Sequence, residues 1–114
     1  MKYTVTEKDA VVLIKLDGGI VGGPDARTLH EFIRDLNSQK KNKIILDLSS
    51  VTLMNSSGLG IIISSLTTVR NSQGDIVLVK VPERIKHLLK ITKLISVFKL
   101  FDTAEQAEAH LKVL

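Results

Sequence analysis

Apolar residues along this chain follow two different spacings, which predict an alternation of strands and helices. Short continuous apolar runs, such as Ile44–Leu46, are typical of strands that are covered on both faces. From such runs we predict strands at residues 2–6, 11–16, 43–48, 76–81 and 97–101. Lys8 and Asp9 suit a hairpin turn between the first two.

Between the later strands, apolar residues recur every three or four positions, as on a helix that buries one face. This spacing predicts helices at residues 25–39 and 58–71, a third that begins at Pro82, and a fourth that Asp102 or Thr103 caps. Pro24 suits the first position of the first helix. Residues 103–106, Thr-Ala-Glu-Gln, are similar to a capping box.

The order of these elements predicts an α/β fold. The first two strands are expected to pair antiparallel, and the alternation that follows implies parallel pairing through helical crossovers. We therefore predict a mixed sheet of four to five strands with about four helices packed against it. Residues 1–114 contain no linker or repeat, so the prediction is a single domain.

Composition narrows the class of protein. The 114 residues are 44% hydrophobic and 25% charged, which is typical of a globular chain with one core. The net charge of +4 is spread out and lacks the dense basic stripe with aromatics that nucleic-acid binding favours. The sequence has no cysteine and no signal peptide pattern. None of its apolar runs approaches the ~20 residues that a membrane-spanning helix needs. We expect a cytoplasmic protein, monomeric or weakly dimeric, that acts away from membranes.

The most informative segment is the passage from strand to helix at residues 47–60. An apolar strand leads into a polar turn, the turn ends in Ser56 and Ser57, and a helix follows. Ser57 is therefore expected at a helix N-terminus, where free N–H groups and the helix dipole favour an anion. Such a serine is either a cap or a site that accepts a phosphate.

The helix that follows has an unusual outer face, on which no charged residue lies between Asp47 and Arg70. A solvated helix face ordinarily carries lysine, glutamate and arginine. Here the predicted outer positions are Ser57, Gly60, Ile61, Ser64, Ser65 and Thr68. A small, uncharged face favours close approach by a protein partner; the alternative is that another element of the same domain covers it.

Other candidate sites are weaker. The glycine stretch at residues 18–23 lacks the Gly-x-Gly-x-x-Gly order of a nucleotide-binding loop and favours a flexible turn. Asp47 has no acidic pair to hold Mg²⁺ and is expected to bond to nearby backbone N–H groups. His30, His87 and His110 are widely separated, so surface positions are expected. No catalytic set can be assembled, so we expect no enzymatic activity and no cofactor.

Residues 43–60 resemble the signature of the STAS domain family of bacterial anti-sigma factor antagonists, above all at Ser57-Gly58-Leu59-Gly60. The resemblance extends through residues 18–29 and 88–102, and it implies a STAS-like fold. It also implies partner switching, in which the unphosphorylated antagonist binds an anti-sigma factor that is a serine kinase and so releases a sigma factor. ATP and Mg²⁺ belong to that kinase, and a serine phosphatase reverses the modification.

Carried onto this sequence, the resemblance implies phosphorylation at Ser57. The partner-binding residues are expected to be Asn55, Ser56, Ser57, Gly58, Gly60, Ile61 and Ser64. Two positions depart from the family pattern: Asn55 replaces the usual aspartate, and Val21 stands where an aspartate or asparagine is common. The alternative function is a scaffold module of a stress-sensing complex or a lipid-transport system, in which Ser57 is a contact and not a phosphorylation site.

Overall fold

A computed structural model describes all 114 residues. It contains five strands and four helices. Their bounds are β1 Lys2–Lys8, β2 Val11–Ile20, α1 Pro24–Ser38, β3 Lys43–Met54, α2 Ser56–Asn71, β4 Asp75–Val79, α3 Glu83–Ile91, β5 Leu100–Phe101 and α4 Ala104–Lys112. None of the helices combines the length and apolar character that crossing a membrane requires.

The five strands form one mixed sheet in the order β1-β2-β3-β4-β5. β1 pairs antiparallel with β2, and the remaining neighbours pair parallel. The predicted α/β class, the pairing directions and the number of helices are therefore confirmed. Because β2, β3 and β4 run in the same direction, their carboxyl ends lie at one edge of the sheet, and α1, α2 and α3 follow from that edge.

The two faces of the sheet are covered unequally. The larger core includes Ile14, Leu46 and Leu78 from the sheet, together with buried side chains of α1, α2 and α3. A smaller core on the opposite face joins Val11, Ile45 and Val77 to Ala107 and Leu111 of α4. This packing explains why the central strands are apolar on both faces.

Three strands are longer than their sequence pattern predicted. β1 continues to Lys8, so the hairpin turn lies at Asp9 and Ala10 and not at Lys8 and Asp9. β2 continues through Gly18 and Gly19 to Ile20, and β3 continues through the predicted polar turn to Met54. These extensions pair with each other, with Gly18 opposite Val51 and Ile20 opposite Met54. The register shifts at two places, where β3 has an additional residue. Pairing with a neighbouring strand has therefore outweighed the low strand propensity of glycine and serine.

Smaller differences occur near the C-terminal half. α3 begins at Glu83, with Pro82 as the residue that precedes it, and β5 contains only Leu100 and Phe101. Thr103 is confirmed as the cap of α4, since its side chain accepts a hydrogen bond from the Gln106 N–H. The Gln106 side chain in turn accepts from the Asp102 N–H, one residue earlier than in a standard capping box.

Candidate functional site

Ser57 is exposed at the second position of α2, directly beyond the carboxyl end of β3. Its environment, like that of Ser56, differs from that of the hydroxyls further along the helix. Ser64, Ser65, Thr67 and Thr68 each donate to the carbonyl four residues earlier. Ser57 makes no side-chain hydrogen bond within the chain, because no helical turn precedes it. Its hydroxyl is thus free to react or to contact another molecule.

Asn55 caps this helix. Its side-chain oxygen accepts a hydrogen bond from the Gly58 N–H at 2.9 Å, and its carbonyl accepts the Leu59 N–H at 2.9 Å. The N–H groups of Ser56 and Ser57 have no acceptor inside the helix. Asparagine therefore performs the capping role that an aspartate would perform, without adding a negative charge. The end of α2 keeps the partial positive charge of its dipole.

Close backbone contacts fix the position of Ser57 relative to β2. A Cβ atom added at Gly58 would lie 2.0 Å from the Ile20 carbonyl oxygen. A Cβ atom added at Gly22, which has φ +87°, would lie 2.8 Å from the Cβ of Ser57. Only glycine fits at either position without movement of the chain. The predicted flexible turn is thus a packed loop, and it holds Ser57 at the edge of the sheet.

Beyond its first turn, α2 presents the uncharged face that the sequence predicted. Gly60 and Ser64 are exposed, and a Cβ atom at Gly60 would meet no atom within 4 Å. Ile61 is half-buried, so it is less accessible than its place in the predicted outer face implied. No internal contact explains the glycine at position 60, although glycine weakens a helix.

One member of the predicted face and one further predicted partner-binding residue are buried. Ser65 is fully buried, since α1 packs beside α2 and His30 Nδ1 lies 2.8 Å from the Ser65 hydroxyl oxygen. Its assignment to the outer face was therefore wrong, and coverage by another element was correct at this position. Gly58, predicted to bind a partner, is buried against β2. Gly58 packs the start of α2 against β2, beneath the exposed residues.

Two apolar side chains near Ser57 are exposed: Val21, which the sequence indicated only as a departure from the family pattern, and Leu53, which it did not indicate. Val21 is 47% exposed and Leu53 is 50% exposed. Both lie beside Gly19, where an added Cβ atom would be 3.7 Å from Val21 Cγ1 and 3.9 Å from Leu53 Cβ. Residues 49–55 were predicted to be a turn, and a turn has no regular pattern that shows which side chains are exposed. Leu53 was therefore missed. We use the term Ser57 surface for Val21, Leu53, Ser56, Ser57, Gly60, Ile61 and Ser64.

The opposite end of α2 contains an ionic cluster around the buried Asp75. Asp75 is 5% exposed and accepts from Arg70 Nε at 3.1 Å, while Arg70 also donates to the Val97 carbonyl at 2.8 Å. His110 Nε2 lies 3.8 Å from the second Asp75 oxygen. His87 is exposed as predicted, whereas His30 and His110 are half-buried and so only partly at the surface. Arg70 thereby joins α2 to β4 and to the segment before β5.

Asp47 takes the structural role that its sequence context favoured. It is 6% exposed, and its Oδ1 accepts a hydrogen bond from the Ser49 N–H at 2.9 Å. This bond lies where β3 first shifts register against β2. Asp47 therefore supports the irregular part of the strand that leads to Ser57.

The family model for the STAS domain matches residues 2–107. This chain belongs to the STAS domain family. It is 24% identical over 112 residues to a Bordetella bronchiseptica protein, BtrV, that is named as an anti-sigma factor antagonist, and the match covers 98% of this chain and 96% of BtrV. These observations confirm the family that the Ser57 segment resembles.

Solved structures have the same architecture. TM1081 of Thermotoga maritima, named as an anti-sigma factor antagonist, superposes with a TM-score of 0.87 at 28% identity, over 96% of this chain and 94% of that one. The unphosphorylated anti-sigma factor antagonist SpoIIAA superposes with a TM-score of 0.74 at 18% identity, over 98% and 97% of the two chains. At this identity SpoIIAA shares the fold alone. The STAS-like fold is thus confirmed.

Proposed function

We propose that this chain is an anti-sigma factor antagonist that acts by partner switching in the cytoplasm. Unphosphorylated, it binds an anti-sigma factor that is also a serine kinase, and the sigma factor is released. Phosphorylation of Ser57 by that kinase ends the complex, and a serine phosphatase restores the binding form. The chain has no catalytic role of its own and acts as a regulatory binding module.

The observation that carries this proposal is the exposed, unbonded hydroxyl of Ser57 within an uncharged surface. A phosphate adds about −1.5 to −2 charges at pH 7. Burying that group against a partner without matching donors costs about 2 kcal/mol or more, which corresponds to a complex roughly 30-fold weaker. When no partner is bound, a phosphate on Ser57 remains in solvent and this cost does not arise.

The same position is expected to accept a phosphate without loss of the fold. Negative charge at a helix N-terminus is stabilised by the dipole, and the N–H groups of Ser56 and Ser57 lack helical acceptors. The phosphorylated form of SpoIIAA supports this view. It superposes on this chain with a TM-score of 0.75, against 0.74 for the unphosphorylated form. Modification is therefore expected to change binding and to leave the fold intact.

The test uses each purified serine-kinase anti-sigma factor of the same organism. The chain is incubated with kinase, ATP and Mg²⁺, and the modified residue is located by peptide mass spectrometry. Binding of the unmodified chain and of two variants, Ser57→Asp and Ser56→Asp, is measured by calorimetry. We expect phosphate on Ser57 and a binding loss of roughly 30-fold for Ser57→Asp.

Ser56→Asp is the matched control, because Ser56 is also exposed and is adjacent to Ser57. It is expected to bind several-fold more tightly than Ser57→Asp. Wild-type affinity in Ser57→Asp, together with no phosphate on Ser57, would contradict the switch. That outcome would favour the scaffold function, in which the same surface binds a partner permanently.

A further inference from the structure

A cleft between α1 and α2 opens beside the Ser57 surface. Its volume is about 280 Å³, and it is lined by Arg27 and His30 from α1 and by Ile61 and Ser64 from α2. Ile61 and Ser64 belong to both the cleft and the Ser57 surface. Along α2, Ser64 is seven residues from Ser57, which corresponds to about 10 Å. A partner that covers Ser57 over an ordinary interface of about 800 Å² would also cover this cleft.

The orientation of His30 is set by Ser65. The Ser65 hydroxyl oxygen lies 3.0 Å from the Ile61 carbonyl oxygen and 2.8 Å from His30 Nδ1. A hydroxyl has one proton and a carbonyl only accepts, so both contacts are satisfied when Ser65 donates to Ile61 and His30 Nδ1 donates to Ser65. His30 Nε2 has no hydrogen-bond partner and is not among the buried unpaired atoms. It is therefore accessible to solvent.

Arg27 is also uncommitted. It is exposed and takes part in none of the ion pairs of the chain. Glu31 follows one turn later on α1 but lines a different depression, with Arg34, Asp35 and Ser38. The Ser64 hydroxyl already donates to the Gly60 carbonyl. With its proton on Nδ1, an uncharged imidazole presents only an acceptor at Nε2, so the donor for an anionic group in this cleft is the unpaired Arg27 guanidinium, and no carboxylate is among the lining residues.

We propose that this cleft binds the carboxylate side chain of an aspartate or glutamate on the protein partner that covers the Ser57 surface. The inference rests on the proposed function and adds the chemistry of one partner residue. A guanidinium can bind a carboxylate through two parallel hydrogen bonds, and Ile61 provides an apolar wall that excludes water from them. Complementary charge at such a position fixes the register of an interface.

The cleft lies close to Ser57. Along α2, Ile61 and Ser64 are about 6 and 10 Å from Ser57, against a Debye length of about 8 Å at physiological ionic strength. The negative charge of a phosphate on Ser57 is therefore only partly screened at the cleft, and it weakens the binding of the partner carboxylate there as well.

The test compares two charge reversals on α1, Arg27→Glu and Arg34→Glu. Both arginines are exposed and outside the ion pairs, but Arg34 lies two turns further from Ser57. Binding to the purified serine-kinase anti-sigma factor is measured by calorimetry after thermal melting has shown that each variant is folded. We expect Arg27→Glu to weaken binding at least about 10-fold and Arg34→Glu less than about twofold.

Charge exchange then identifies the partner residue. Exposed aspartates and glutamates of the anti-sigma factor are changed one at a time to lysine and paired with Arg27→Glu. Recovery of at least about 10-fold of the lost affinity by one exchange supports the proposal. The chain alone is also examined by analytical ultracentrifugation. Self-association that Arg27→Glu abolishes would assign the cleft to a second copy and overturn the proposal.

Three further outcomes are decisive. Unchanged affinity in Arg27→Glu, with wild-type binding present, overturns this inference and leaves the proposed function in place. Equal losses in Arg27→Glu and Arg34→Glu indicate a general charge effect and also overturn it. Absence of any complex between wild-type chain and anti-sigma factor contradicts the proposed function itself, and this inference falls with it.

Discussion

The two ends of α2 differ in whether their side chains have partners inside the chain. At the C-terminal end, Arg70 is paired with the buried Asp75 and with the Val97 carbonyl, so the polar groups have partners inside the chain. At the N-terminal end, Ser57 has no side-chain partner, and a Cβ atom added at Gly60 would meet no atom within 4 Å. One end is anchored and the other is left available. The available end is where the proposed function lies.

The largest effect is expected within the N-terminal end, where two glycines two residues apart separate its packed base from its open surface. Gly58→Ala places a Cβ atom 2.0 Å from the Ile20 carbonyl oxygen, and the backbone on both sides must move. We expect a loss of about 3 kcal/mol or more in the free energy of unfolding. Chemical denaturation monitored by circular dichroism measures the change.

Gly60→Ala is the control, and its expected sign is opposite. The added methyl group enters open space and raises helix propensity, so the free energy of unfolding should increase by about 1 kcal/mol. Binding to the anti-sigma factor is expected to weaken, because the methyl group separates the two surfaces. Stabilisation without any weakening would show that Gly60 is not at the interface.

A medium effect is expected at the anchored end. Asp75→Ala removes the buried carboxylate that Arg70 contacts, and we expect the free energy of unfolding to fall by about 2 kcal/mol. The value is below that for a fully buried pair because the Arg70 side chain is 40% exposed and can return to water. Urea denaturation provides the measurement.

The exposed pair of Lys41 and Glu7, with a 3.0 Å contact, is the matched comparison. Glu7→Ala should change the free energy of unfolding by less than about 0.5 kcal/mol, since solvent-exposed ion pairs contribute little. If Asp75→Ala is no more destabilising than Glu7→Ala, the anchoring role of the C-terminal end is contradicted.

The smallest effect is expected for Ser57→Asp. A negative charge in the first turn interacts favourably with the helix dipole, so stability should rise by about 0.5 kcal/mol or remain unchanged. Ser64→Asp, in the middle of the helix, lacks this gain and serves as the control. A loss of more than about 1 kcal/mol in Ser57→Asp would mean that phosphorylation acts through the fold. Thermal melts at low salt distinguish these results.

The sequence was sufficient to predict this architecture because each element had a strong local pattern. The continuous apolar run in β3 and the one-sided stripe of α1 required no knowledge of their neighbours. The extension of β3 to Met54 could not be predicted in this way, because Ser49 and Ser50 lack a strand pattern. Their conformation depends on pairing with the equally weak extension of β2.

The candidate site was predictable in part for a similar reason. The position of Ser57 follows from local chain direction, since a helix begins directly after a strand. Burial of Ser65 and exposure of Leu53 depend on which surfaces α1 and β2 cover, and local spacing does not contain that information. The cleft lined by Arg27 and His30 likewise exists only once α1 lies beside α2.

The contact between the loop at Gly22 and the helix start at Ser57 and Gly58 also has an evolutionary consequence. Each glycine leaves room for main chain that lies more than thirty positions away in the sequence. A side chain at Gly58 would meet a main-chain oxygen, and one at Gly22 would meet a Cβ atom that every residue except glycine has. Because neither clash is relieved by a change at the other glycine, lineages are expected to retain both, and a library randomised at the two together should return glycine at each.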